Sequence, residues 1–275
     1  MAACDASHDK ASLKTLKKRG AFFVRAVLTA LLACRAVFAA PDCAPPARLS
    51  ARYQAVYVYD GDTVKLADGR KLRLIGIDTP ELGRDGTPPQ PYANRARERL
   101  RALLSAQGNR VGLRHDRTRN DRYGRTLAHV YLPDGTNAAA ELLRQGLGTA
   151  LVVPPNLRKL GCYQAAEQQA RERRRGIWSL PQYQPVEAAE LDPGARGFRL
   201  VTGRVVKISR RRGSLWLRLD GPVVLRIKHD DLRYFRAVRP ARLTGRRVLA
   251  RGWLHGYRDT LFLNVRHPAA LQVMD

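Results

Sequence analysis

Four carboxylates bracket one short stretch of this 275-residue chain, YDGDTVKLADGRKLRLIGIDTPE: Asp60 and Asp62 at its start, Asp78 and Glu81 at its end. Acids brought together repel unless a proton or a cation intervenes. An all-oxygen set of this kind suits calcium, with water filling the remaining positions. Asp-Gly-Asp-Thr alone is commonly just a turn. The downstream Asp78-Thr79-Pro80-Glu81 makes metal ligation the better reading of the pair. The acids are conspicuous because the chain is basic, with 50 Lys+Arg against 24 Asp+Glu and a formal charge of +26. A surplus that large concerns partners rather than fold, and the usual partner is a polyanion.

The elements that must position these acids read as strands first and helices later. Val56–Val58, Thr63–Leu66 and Lys71–Ile77 have strand character. A two-residue loop at Asp68-Gly69 would bury the wrong face of the hairpin. A three-residue loop, Ala67-Asp68-Gly69, instead sets Val64 and Leu66 on one face with Leu72 and Leu74. The even-numbered Asp60, Asp62 and Asp78 then share a side. Arg73 has odd parity and faces away from Asp62 unless the strand coils or bulges, which a small barrel and Gly76 permit. A helical stripe runs over Pro91–Gln107, strands over Val111–Leu113 and Leu127–Leu132, an Asn137-capped helix to Gln145, and a polar helix over Cys162–Arg175. A few strands with interspersed helices predict a small barrel with helical cover.

DGDTVKL, RLIGIDTPE, DRYGRTLAHVYL, AAELLRQGLG and GIW, in this order and at these spacings, resemble the staphylococcal (micrococcal) nuclease, or thermonuclease, family. The resemblance covers about residues 53–180 and implies an OB-type five-stranded barrel with three helices, mainly β in class, that hydrolyses phosphodiesters of DNA and RNA with calcium. Carried over motif by motif, it makes Asp62, Asp78 and the backbone carbonyl of Thr79 the metal ligands, with Asp60 in the outer shell. It makes Arg73, Glu81 and Arg125 the catalytic trio and places Tyr123 near the bound nucleotide. Guanidiniums suit this chemistry because they bind equatorial phosphate oxygens in pairs, and Glu81 would orient or deprotonate the attacking water. Leu151-Val152-Val153 departs from the family, whose tyrosines at this place would stack on a base at about 1–3 kcal/mol each. The rival reading is a nucleic-acid-binding protein that keeps the barrel without turnover.

Pro181–Gly197 is turn-rich and predicts a linker to a second β-rich unit, residues 198–275. Five short alternating runs with a helix at Asp230–Val238 suggest another OB-like barrel. Residues 196–275 hold 19 Lys+Arg and 5 Asp+Glu, a net of +14, against 24 and 17, a net of +7, for residues 40–195. Arg210, Arg211 and Arg212 form a basic loop, with Trp216, Tyr234, Phe235, Trp253 and Tyr257 nearby in sequence, which suits backbone contact to nucleic acid. A basic structural cap is the alternative.

At the N-terminus, KTLKKRG, the apolar Ala26–Cys34 and Val37-Phe38-Ala39 read as an export signal cleaved after Ala39. Lipidation at Cys34 is the alternative. The apolar run is too short to span a membrane as a helix. Removing residues 1–39 leaves Cys43 and Cys162, an even pair that suggests one disulfide, with two separate buried thiols as the alternative. No zinc-spaced Cys/His cluster is present. The expectation is an exported monomer.

Overall fold

The computed structural model describes residues 43–274 apart from 48, 50, 51, 84 and 85. The export signal and Cys34 lie outside the described residues.

The first barrel closes in the order β1-β2-β3-β6-β5, from Tyr53–Val58, Thr63–Leu66, Lys71–Leu74, Thr126–Tyr131 and Arg110–Arg114. The β2–β3 hairpin turns through Ala67-Asp68-Gly69. Leu66 N donates to the Arg70 carbonyl, Gly69 N donates to the Leu66 carbonyl, and Val64 lies opposite Leu72. Gly69 holds φ 87°, where the turn demands a left-handed residue. β3 then runs parallel to β6, β6 pairs antiparallel with β5, and β5 returns antiparallel to β1. Val64, Leu66, Leu72, Leu74, Val111 and Val130 fill the interior.

Three helices cover it: α1, Ala93–Ser105; α2, Ala138–Arg144; and α3, Leu160–Glu172. Ala93, Ala96, Leu100 and Leu104 are the buried stripe of α1. Asn137 caps α2, its side chain accepting from Ala140 N. Cys43 is bonded to Cys162 at the start of α3, across 119 residues of sequence. A two-stranded ribbon joins the site to this layer: β4, Ile77–Asp78, pairs with β7, Thr149–Ala150.

The second β-rich domain repeats the same wiring. β9 (Gly197–Arg211), β10 (Ser214–Leu219), β11 (Val223–Lys228), β12 (Arg247–Tyr257) and β13 (Thr260–Asn264) form a closed ladder in the order β9-β10-β11-β13-β12, with β12 returning to β9. β11 and β13 are the parallel pair, as β3 and β6 are in the first barrel. Closure is possible because β9 is long: Gly197–Arg204 pairs with β12, and the following residues pair with β10. The connection expected as a helix over Asp230–Val238 is a pair of 3₁₀ turns, His229–Tyr234 and Pro240–Arg242. The expected linker carries a strand of its own: β8, Pro185–Glu187, runs parallel to β9, and Ala188 is buried in the second core. Its signal is a single apolar residue, Val186, too short a run to read as period two. β14, Leu271–Val273, extends β12.

The two barrels pack together. Ala170, Ile177, Trp178 and Leu200 form one buried cluster, joined by Tyr92, Tyr183, Phe198 and Leu249.

Candidate active site

β2 and the β3–β4 connection bring the predicted acids to one place. Asp62 stands just before β2, and Leu74 N donates to its carbonyl at 2.8 Å. The chain reverses at Ile75-Gly76, with Gly76 at φ 93°, against the ring of Tyr163. A Cβ there would come within 2.0 Å of that ring, so the tight return needs glycine for space as well as dihedral. β4 follows, carrying Asp78 back over Arg73.

Arg73 occupies the centre. Its Nε lies 3.1 Å from Asp62 Oδ1, and its NH2 donates to Asp78 Oδ1 at 2.9 Å. Its NH1 donates to the carbonyls of Leu74 and Ile77. Odd parity therefore does not remove Arg73 from the site. The reversal at residues 75–76 folds the acceptors over its guanidinium instead. Among the described residues, three of the five N–H groups of this guanidinium donate in hydrogen bonds and Nε faces Asp62 as an ion pair, leaving one N–H on NH2.

The second oxygen of Asp62 is held by Thr79, which donates from its backbone N at 2.9 Å and from Oγ1 at 3.1 Å. Thr63 Oγ1 donates to the first. Asp60 accepts from Asp62 N at 3.0 Å. Burial, reinforced by the neighbouring Asp62 charge, pushes the Asp60 carboxyl up to about 6. Burial also raises Asp78, with Arg73 acting against it and Asp62 adding to it.

Arg125 approaches from the loop before β6. Asp121 Oδ2 accepts from its Nε at 2.7 Å, and Asp121 Oδ1 accepts from the backbone N of Arg125 and of Tyr123. The terminal nitrogens of Arg125 have no hydrogen-bonded protein partner among the described residues. Arg73 and Arg125 both line a cavity of about 170 Å³, together with Gly76, Leu151, Val153 and Asn156. Tyr123 is exposed, with the guanidiniums of Arg122 and Arg125 over its ring. Glu81 is exposed, and its backbone N and O are both tied to Gln90.

Arg210 and Arg211 end β9 and Arg212 turns the chain at φ 50°, all three exposed. They form a patch of their own, apart from the acids. Among the described residues, no three His, Cys, Asp or Glu side chains are placed to hold a metal by themselves.

Two contributors have no counterpart among the residues expected from the sequence. Asp121, which orients Arg125, lies in the DRYGR motif and carries a local signal, an Asx turn onto Tyr123 and Arg125. Trp253 is 175 residues from Asp78, yet its Nε1 donates to Asp78 Oδ2 at 2.9 Å. No local pattern announces that contact.

The family described as "Staphylococcal nuclease homologue" matches residues 71–180. "Thermonuclease" of Staphylococcus hyicus is 39% identical over 131 residues, which is 46% of this chain and 75% of that protein. "Micrococcal nuclease" of Shigella flexneri is 34% identical over 169 residues, 57% of this chain and 91% of that protein. "Endonuclease YncB" of Bacillus subtilis is 36% identical over 129 residues, 45% of this chain and 60% of that protein. With most of the hyicus protein aligned at that identity, and with a closed five-stranded barrel carrying the matched motifs, the chain belongs to the staphylococcal nuclease family.

Proposed function

We propose that this protein is an exported, calcium-dependent, sugar-nonspecific endonuclease that hydrolyses phosphodiesters of DNA and RNA. The observation that carries the reading is the cavity shared by Arg73 and Arg125 beside the Asp62–Asp78 cluster. Relatives named thermonuclease, micrococcal nuclease and endonuclease support the reaction class.

The donor set fits a hard divalent cation. Asp62 and Asp78 touch one guanidinium, so they stand close enough to share a charge. Asp62, Asp78 and the Thr79 carbonyl would hold calcium, with Asp60 in the outer shell and water completing the set. When bound, the ion polarises a phosphate oxygen and screens the incoming water from the phosphate's charge. Arg125, oriented by Asp121 with its terminal nitrogens left for the phosphate, binds the equatorial oxygens and steadies the departing one. Arg73 contributes its remaining N–H and its charge. Glu81, exposed three residues after Asp78, orients or deprotonates the attacking water. Tyr123 lies at the nucleotide's side of the site.

The Cys43–Cys162 bond supports maturation in an oxidising compartment, in keeping with export. No helix among the described residues is long and apolar enough to cross a membrane. Arg210, Arg211 and Arg212 supply a second, backbone-binding contact to the polyanion, and the protein acts as a monomer.

Plasmid DNA incubated with residues 40–275 in calcium and again in EDTA tests this. Degradation that stops in EDTA and is lost in R125A supports the enzyme. Plasmid that is retarded but intact in calcium would replace it with a binding protein.

A further inference from the structure

The second barrel reaches into the candidate active site at two points. Trp253, on β12, donates its indole N–H to Asp78 Oδ2 at 2.9 Å. Two residues earlier on the same strand, Arg251 makes a two-pronged ion pair with Glu167 of α3. Side chains alternate along a strand with period two, so residues 251 and 253 leave β12 on the same face. Glu167 is buried, and its Oε1 also accepts from Ala150 N of β7 at 3.0 Å. β7 is the strand paired with β4, and Thr149 lies directly opposite Asp78. The short ribbon that carries Asp78 is therefore gripped from both sides: at the carboxylate by Trp253, and through β7 by the Arg251–Glu167 pair.

A two-residue strand has little rigidity of its own. It makes few ladder bonds, and Asp78 must hold one rotamer against the pull of Arg73. We propose that the second barrel is a working part of the site, and that Trp253 is a positioning residue that fixes the carboxylate of Asp78 for the cation. A carboxylate oxygen keeps a free lone pair after accepting one N–H, so the indole orients Oδ2 without occupying it. Hydrogen bonds of this outer kind are typically worth 10- to 100-fold in metal affinity. The role differs from raising local substrate concentration, which would act through the arginine patch at the far end of β9. It rests on the calcium reading of the Asp62–Asp78 cluster.

Calorimetric titration of calcium into the full chain without substrate tests the proposal, using W253F and W253Y, which keep an aromatic ring and lose the indole N–H. Both variants are expected to bind calcium about 10-fold more weakly than the wild type. In plasmid cleavage, the calcium concentration for half-maximal rate should rise by the same factor while the rate at saturating calcium is retained. A purely structural role would instead lower the saturated rate or the melting temperature and leave calcium affinity alone. Wild-type calcium affinity in both variants would overturn the proposal and leave the nuclease reading intact, as would tighter binding, which would make Trp253 a competitor of the ion. A wild type that binds no calcium would overturn the metal reading and this proposal together.

Discussion

Arg73 and Asp78 lie five residues apart and meet at 2.9 Å, NH2 to Oδ1, across a reversal made at Gly76. The same guanidinium touches Asp62, so one buried cation stabilises both acids. On the proposed calcium reading, an ion bound between them would change how that guanidinium is shared and so couple Arg73 to the metal.

Removing Arg73 should expose that coupling. R73A leaves two largely buried carboxylates without their partner, and breaking a buried pair in this way costs about 3–5 kcal/mol. Chemical denaturation in EDTA is expected to show a loss of this order, and saturating calcium is expected to restore much of it. A loss unaffected by calcium would separate Arg73 from the metal.

Asp121 makes a gentler test of the proposed contact between Arg125 and phosphate. D121N keeps the shape but weakens the grip on Arg125 Nε, whereas R125A removes the group itself. Deleting a donor that stabilises transition-state charge costs about 10²–10³ in kcat, so R125A should fall in that range and D121N in between. Equal activity for wild type and D121N in plasmid cleavage would make the Asp121 contact structural only.

Acid should weaken the fold through His129. This ring is fully buried, with Nδ1 2.6 Å from Tyr163 Oη and Nε2 3.7 Å from Asp116. Burial lowers its pKa to about 4, against the upward pull of Asp116. The unfolded chain therefore binds a proton that the native state refuses between about pH 6.5 and 4, and stability falls as pH drops through that window. The full effect is about 3 kcal/mol, from 1.36 kcal/mol per unit. Urea unfolding at pH 7, 5.5 and 4.5 should show this slope, and H129Q should flatten it.

The arginine patch has its own signature. Replacing Arg210, Arg211 and Arg212 by Ala should make the salt dependence of duplex binding shallower, by about 0.9 in slope for every phosphate that these side chains neutralise. A slope identical to the wild type's would make the patch a solvated turn.

Legibility in the sequence follows the range of the forces. The hairpin register, the Asn137 cap and the stripe of α1 are local patterns, set by turn chemistry and period, and each is visible in a few residues. The motifs of residues 62–81 and 121–125 carry the site the same way. Arg73 is ambiguous in sequence because strand parity ends where the strand ends, and the reversal at Gly76 decides which acceptors it meets. β8 is silent because three residues with one apolar side chain give no period. Trp253 reads in sequence only as one aromatic among several in a basic unit, since nothing within β12 reports on Asp78. That hydrogen bond exists only once two barrels are packed.

The most direct test of the central claim is diffraction from crystals grown with calcium and a non-hydrolysable oligonucleotide. The expected result is one ion about 2.3–2.6 Å from oxygens of both Asp62 and Asp78, with a phosphate oxygen on its open side and Arg125 on that phosphate. An ion bound elsewhere, with Arg73 still bridging two metal-free carboxylates, would contradict it.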